Sequence, residues 1–168
     1  MIKVSVSDAA LRKAAGEGMD AFVKVFTDGL LNAIGGQLTQ DNMQLLNSDQ
    51  ITLLAWFYLH DEVMDGGYVQ LIHNGFGAFI FKNPFAVAMR EWGLTTLYSH
   101  LRHCKKWYDK YHEQIERDMS DADFMALYEQ MPEFDDYDDD FIVNEEQWTG
   151  QVAAYIDDHI SNFAQIES

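Results

Sequence analysis

Five aspartates within six positions, Asp135, Asp136, Asp138, Asp139 and Asp140, form the densest set of ionisable groups in the chain. Carboxylates so close together can ligate a hard cation, move protons or present a negative surface. The calcium reading fails on spacing. With Asp136, Asp138 and Asp140 at the first, third and fifth loop positions, Phe141 falls where a glycine must turn the chain and Gln147 where a bidentate glutamate must close it. A second group, His60, Asp61, Glu62 and Asp65, suits acid/base work because 61 and 65 lie one helical turn apart; the same residues equally suit a helix end ordering the glycine turn that follows. His100, His103 and Cys104 are close in sequence, but Arg102, Lys105 and Lys106 around them oppose a zinc ion. Gly75-Phe76-Gly77 lacks the third glycine of a dinucleotide fingerprint, and no serine lies in a nucleophile-elbow pattern. No catalytic set, metal site or cofactor is expected.

The negative-surface reading depends on the element that carries it. Placed on a helix, Phe134, Tyr137 and Phe141 share one stripe, and the five aspartates are assigned to the opposite side. Like-charge pairs at i,i+3 and i,i+4 cost on the order of 0.2–0.5 kcal/mol each. Burial of three aromatic side chains returns roughly 1.5–3 kcal/mol apiece, so the helix forms in spite of its charge. Five carboxylates along about 9 Å of helix approach the density of a duplex, with its one phosphate per ~1.7 Å of axis. The same face also serves solubility alone.

Around this helix the rest of the chain reads as helical, with no alternating strand and no internal repeat. Apolar residues recur at helical spacing from Leu11 to Ile34, with Gly16 and Gly18 as a possible break and Gly35-Gly36 as the stop. Asn47 and Gln50 form a capping pair ahead of a nearly all-apolar helix over 49–64, and Gly66-Gly67 turns the chain into the next element. Asn74-Gly75 ends that element, Asn83-Pro84 opens another, and Gly93 punctuates it. Helices follow over 94–115, with Leu97, Tyr98, Leu101, Cys104, Tyr108 and Tyr111 inward, and over 121–130, capped by Asp121. Asn144 with Gln147 resembles a capping box for a separate final helix carrying Trp148, Val152, Tyr155, Ile156, Ile160 and Phe163 inward. The fold class is all-α, a single-domain bundle of about seven to nine helices over residues 1–168.

With 48% hydrophobic residues the chain has ample core, and its net charge of −17 argues against direct binding of nucleic acid or of anionic membranes. The charge is uneven. Residues 113–168 hold seventeen acids and one base, Arg117, whereas residues 1–112 are close to neutral. The basic cluster Arg102, Lys105, Lys106 and Lys110 is read chiefly as internal balance for Asp109, Glu113 and Glu116, with an anion site as the other possibility. A lone Cys104, no signal-peptide pattern and no apolar run of spanning length make a reducing cytoplasm the default.

Asp65-Gly66-Gly67-Tyr68-Val69-Gln70-Leu71-Ile72-His73-Asn74 resembles the (Asn/Asp)-Gly-Gly-aromatic-x-Gln-x-x-x-Asn signature of the bacterial DNA mimic protein family, long described as a domain of unknown function. The later Asp-rich helix and Tyr155, Ile156 and Phe163 are similar to that family's acidic and closing helices, so the likeness spans about 45–165. Asp65 stands where Asn is common, and Leu71-Ile72 replaces an aromatic pair. The resemblance implies an all-helical, dimeric, non-enzymatic protein of transcription regulation. Its carboxylates would imitate phosphates on the DNA-binding surface of a transcription factor or nucleoid protein. Partner contacts then fall to Glu133, Asp135, Asp136, Asp138, Asp139, Asp140, Glu145 and Glu146, while Asp65, Gly66, Gly67, Tyr68, Gln70 and Asn74 form a structural turn. The alternatives are an immunity-type or other interaction module that neutralises a basic protein, and an enzyme built on His60, Asp61, Glu62 and Asp65.

Overall fold

A computed structural model describes all 168 residues. Ten α-helices carry the chain: α1 (Asp8–Glu17), α2 (Met19–Ala33), α3 (Gln40–Met43), α4 (Ser48–His73), α5 (Gly77–Phe81), α6 (Phe85–Glu91), α7 (Thr95–Ile115), α8 (Asp121–Glu129), α9 (Asp135–Asp158) and α10 (Ile160–Phe163). A 3-10 turn, Pro132–Phe134, leads into α9. The all-α class holds, with slightly more helices than the seven to nine expected and one unforeseen addition. Strands β1 (Ser5–Ser7) and β2 (Gln165–Glu167) pair in parallel, Val6 opposite Ile166. Three-residue strands are too short for a periodicity to register. No helix is long and apolar enough to cross a membrane.

The chain gathers into two compact units, Met1–Phe57 with Glu146–Ser168, and Tyr58–Glu145. In the first, Phe26, Leu30, Leu53, Trp148, Val152, Ile156 and Phe163 are buried. The Asn47–Gln50 capping pair forms as expected, since each backbone N–H donates to the other's side chain, and the Gln50 amide also donates to the Phe163 carbonyl. In the second, Leu59, Tyr68, Leu71, Ile72, Leu97, Leu101, Cys104, Tyr108, Phe134 and Phe141 are buried.

Glycines end the helices where the pattern placed them. After α2, α4 and α6 the glycines at 35, 75 and 93 take positive φ. The Gly36, Phe76 and Leu94 N–H groups then bond back five residues to Leu31, Leu71 and Met89, closing the orphan carbonyls. Three boundaries differ. Asn83 does not cap α6, which starts after Pro84 without a side-chain cap, and Ser120 rather than Asp121 caps α8. At Asn144 no new helix begins. α9 runs through, and the Asn144 amide donates to the carbonyl and carboxylate of Asp140 one turn back. An Asn can serve a preceding turn as readily as it caps a following one.

The Gly66-Gly67 pair does not separate two helices by a loop; it breaks α4 at one residue. Gly66 stays helical, and Gly67 adopts φ 80°, ψ −176°, a region almost closed to other residues. A Cβ on Gly67 would stand 2.8 Å from the Asp138 carboxyl carbon, and one on Gly66 would collide with the Gln70 amide. Gly67→Ala is therefore expected to cost at least about 1–3 kcal/mol for the backbone alone. Gly16→Ala, in open space on α1, should raise stability by roughly 0.5–1 kcal/mol, and urea unfolding of both variants checks the contrast.

Candidate functional site

The break at Gly67 leaves the Tyr68 N–H at the start of the second half of α4 without a helical acceptor. Asp138 supplies one. Its Oδ1 accepts the Tyr68 N–H at 2.8 Å, and the Tyr128 hydroxyl makes a long 3.5 Å contact with Oδ2. Asp138 is only 8% exposed, which corrects its assignment to the outward face. Burial, with Asp135 and Asp139 nearby, pushes its carboxyl up to about 7, and the Tyr68 N–H offsets part of that rise. Helical geometry alone puts Asp138 inward: at about 100° per residue it lies about 40° from Phe134 and about 60° from Phe141. Tyr137, on the expected inward stripe, is half-buried against the His100 ring.

Next to Asp138 runs a relay that begins in the core and ends at the surface. The Tyr68 hydroxyl meets His100 Nε2 at 2.7 Å, and His100 Nδ1 meets Asp140 Oδ2 at 2.7 Å. Burial holds Tyr68 well above the usual phenol range, so its O–H stays protonated and donates to Nε2. Burial also lowers His100, and the neutral ring then carries its proton on Nδ1 and donates to Asp140. The order resembles a catalytic relay, but Tyr68 is fully buried and offers no oxygen to a substrate. Its effect is to tether α4, α7 and α9.

The remaining acids divide. Asp135, Asp136, Asp139, Asp140 and Glu146 are exposed. Glu133 turns partly inward to accept the Tyr111 hydroxyl, and Glu145 pairs with His60 at 2.7 Å. The His60, Asp61, Glu62 and Asp65 group does not converge. His60 goes to Glu145, Asp61 is exposed, and Gln70 bridges Glu62 and Asp65 while Asn74 also donates to Glu62. Gln70 and Asn74 thus hold the acids on the turn before the glycine pair, a structural use of the signature. Asp65, Asp135, Asp138 and Asp139 do share a cleft of about 370 Å³ with Met64, Tyr128 and Ile142.

The basic cluster of α7 balances less than expected. Lys105 pairs with Asp109, but Arg102 lies over Tyr98, and Lys106 and Lys110 lie over Trp107 and Tyr111. His100 and Cys104 are buried while His103 is exposed. Aromatic faces hold these cations within one helix, and i,i+4 spacing to an acid could not reveal that.

Residues 44–159 match the model of the DMP19-like protein family, a span that takes in the glycine break, the relay and the acidic turns of α9. The chain belongs to the DMP19-like family. A curated relative, the DNA mimic protein DMP19 of Neisseria meningitidis serogroup B, is 35% identical over 132 residues, covering 77% of this chain and 79% of its own. The resemblance read from the two separated motifs is thereby upheld. In this DMP19-like chain those motifs meet, since the Gly67 break and the Asp138 carboxylate are two halves of one contact.

The burial of Asp138 carries a pH signature. The unfolded chain releases the Asp138 proton near 3.8, whereas the folded chain keeps it to about 7. Its contribution to stability is therefore full below the unfolded value and is lost as pH rises toward 7. Urea midpoints from pH 4 to 8 should fall more steeply for the native chain than for Asp138→Asn, whose amide oxygen still accepts the Tyr68 N–H.

Proposed function

We propose that this protein is a non-enzymatic DNA mimic whose α9 carboxylates occupy the DNA-binding surface of a basic partner such as a transcription factor or nucleoid protein. The observation that carries the reading is the row Asp135, Asp136, Asp139 and Asp140, in which Asp140 alone meets a histidine, the neutral ring of His100. All four are exposed, and none forms an ion pair with a lysine or arginine of the chain. The bases that do pair, Lys3, Arg12, Lys24 and Lys105, take acids elsewhere. A carboxylate row kept only for internal balance would be neutralised within its own chain. Held by the apolar stripe of α9 and by the Asp138 and His100 contacts, this one faces a partner already ordered, so little side-chain or backbone freedom is lost on docking. The name of the meningococcal relative supports the same reading. Glu146 extends the row, whereas Glu133, Asp138 and Glu145, engaged by Tyr111, Tyr68 and His60, are assigned to positioning it.

Association between opposite charges is steered, with on-rates of about 10⁸ M⁻¹s⁻¹ or more at low salt against ~10⁵–10⁶ without steering. Capture from the native cell extract at low salt should recover a basic DNA-binding protein that duplex DNA displaces. Asp135→Asn, Asp136→Asn, Asp139→Asn and Asp140→Asn together should abolish the recovery. Recovery of no basic protein, or recovery indifferent to these changes and to salt, overturns the reading.

A further inference from the structure

The cleft beside the Gly67 break combines two kinds of wall. Asp65, Asp135, Asp138 and Asp139 contribute carboxylates, and Met64, Ile142 and the Tyr128 ring contribute apolar surface. No lysine or arginine of the chain forms an ion pair with any of these four acids. Asp138 is the most informative of them: more than nine-tenths buried, it lines the cleft with a backbone N–H and a long hydroxyl contact as its hydrogen-bond partners and no cation. The lip is apolar and open, with Met64 39% and Ile142 52% exposed.

An acidic floor under an apolar, aromatic lip selects its occupant. A divalent cation seeks six or more oxygens in a converging shell, and no group of three or more His, Cys, Asp or Glu side chains is arranged to hold a metal ion. A lysine brings one compact, strongly hydrated charge with no planar fork to meet two carboxylates at once. An arginine brings a methylene stem for Met64 and Ile142, a planar cation that stacks on Tyr128, and five donors for paired carboxylates. We propose that this cleft is the receptor for one arginine side chain of the basic partner, which anchors the partner on α9; the inference rests on the mimicry reading for the source of that arginine.

A proton travels with the step. Asp138 faces the Tyr68 N–H on α4, the Tyr128 hydroxyl on α8, Asp135 and Asp139 on its own helix and Asp65 on the α4 side of the cleft, while Cys104 on α7 also feels its charge. None of these is a cation. Because its carboxyl sits at about 7, a guanidinium entering the cleft favours the ionised form and drives a proton into solution near neutral pH.

The test uses the full chain with N-acetyl-arginine amide, N-acetyl-lysine amide and magnesium as separate probes at pH 7, followed by amide NMR and by calorimetry in buffers of different ionisation enthalpy. The arginine probe should shift the Gly66, Gly67 and Ile142 amides, saturate at a Kd of order 1 mM and release a fraction of a proton. Asp138→Asn should remove the proton release, and Ile142→Ala, at an exposed position, should weaken binding about threefold or more. Shifts confined to the exposed turns of α9, or equal response to all three probes, overturn the arginine receptor. In partner capture, the Asp138→Asn, Ile142→Ala double variant should lose most of the recovery. Full recovery by that double variant, with loss on neutralising Asp136 and Asp140, overturns the receptor and leaves mimicry standing. Recovery unaffected by neutralising Asp136 and Asp140 together with Asp135 and Asp139 overturns mimicry itself, and the probe titration then still reports on the cleft.

Discussion

The contact between the Asp138 carboxylate and the Tyr68 N–H is the constraint from which the geometry of the acidic turns follows. A helix broken in mid-course presents unsatisfied N–H groups, and burying them without an acceptor costs on the order of 1–3 kcal/mol each. Gly67 makes the break possible, because its backbone angles belong to a region that only glycine enters readily and because a side chain there would displace the carboxylate. The acceptor comes seventy residues later, from a helix whose other aspartates face water. One residue type thus serves two ends: turned inward it completes another helix, and turned outward it charges a surface.

Inward and outward positions on the 3-10 turn and α9 are kept apart by register. Phe134, Asp138, Phe141, Glu145, Trp148 and Val152 follow alternate steps of four and three, and each is buried or partly buried. Asp135, Asp136, Asp139 and Asp140 fall between them. The relay from Tyr68 through His100 to Asp140 adds a second tether at the edge of the row and restricts how far the helix can roll. A surface meant to imitate the fixed spacing of phosphates benefits from such restriction, since a mobile set of carboxylates would lose freedom on meeting its partner.

Much of this was legible in the residues. Helical spacing and the absence of alternation gave the all-α class, glycine stops fell at 35, 75 and 93, and two separated motifs pointed to the family. The failures share a cause. Residue type alone makes an aspartate exposed, an asparagine a cap and a cation the partner of an acid, and Asp138, Asn144, Arg102, Lys106 and Lys110 depart from that rule. In each case a neighbour distant in sequence or a face of the same helix offered a better partner. Tyr68 sits seventy residues from Asp138, and the rings of Tyr98, Trp107 and Tyr111 accept cations that local spacing assigned to carboxylates.

Sequence alone determined what depends on composition and on short range: the helical class, the concentration of acids after residue 112, the glycines whose backbone freedom is used, and the family to which they belong. Tertiary structure decided which aspartates lie at the surface and which one is consumed inside. It also decided that acids and apolar side chains from α4, α8 and α9 close around one cleft. The physical reason is that burial and hydrogen-bond satisfaction are properties of what surrounds a side chain, and for Asp138 the surroundings are built by residues that only folding brings near.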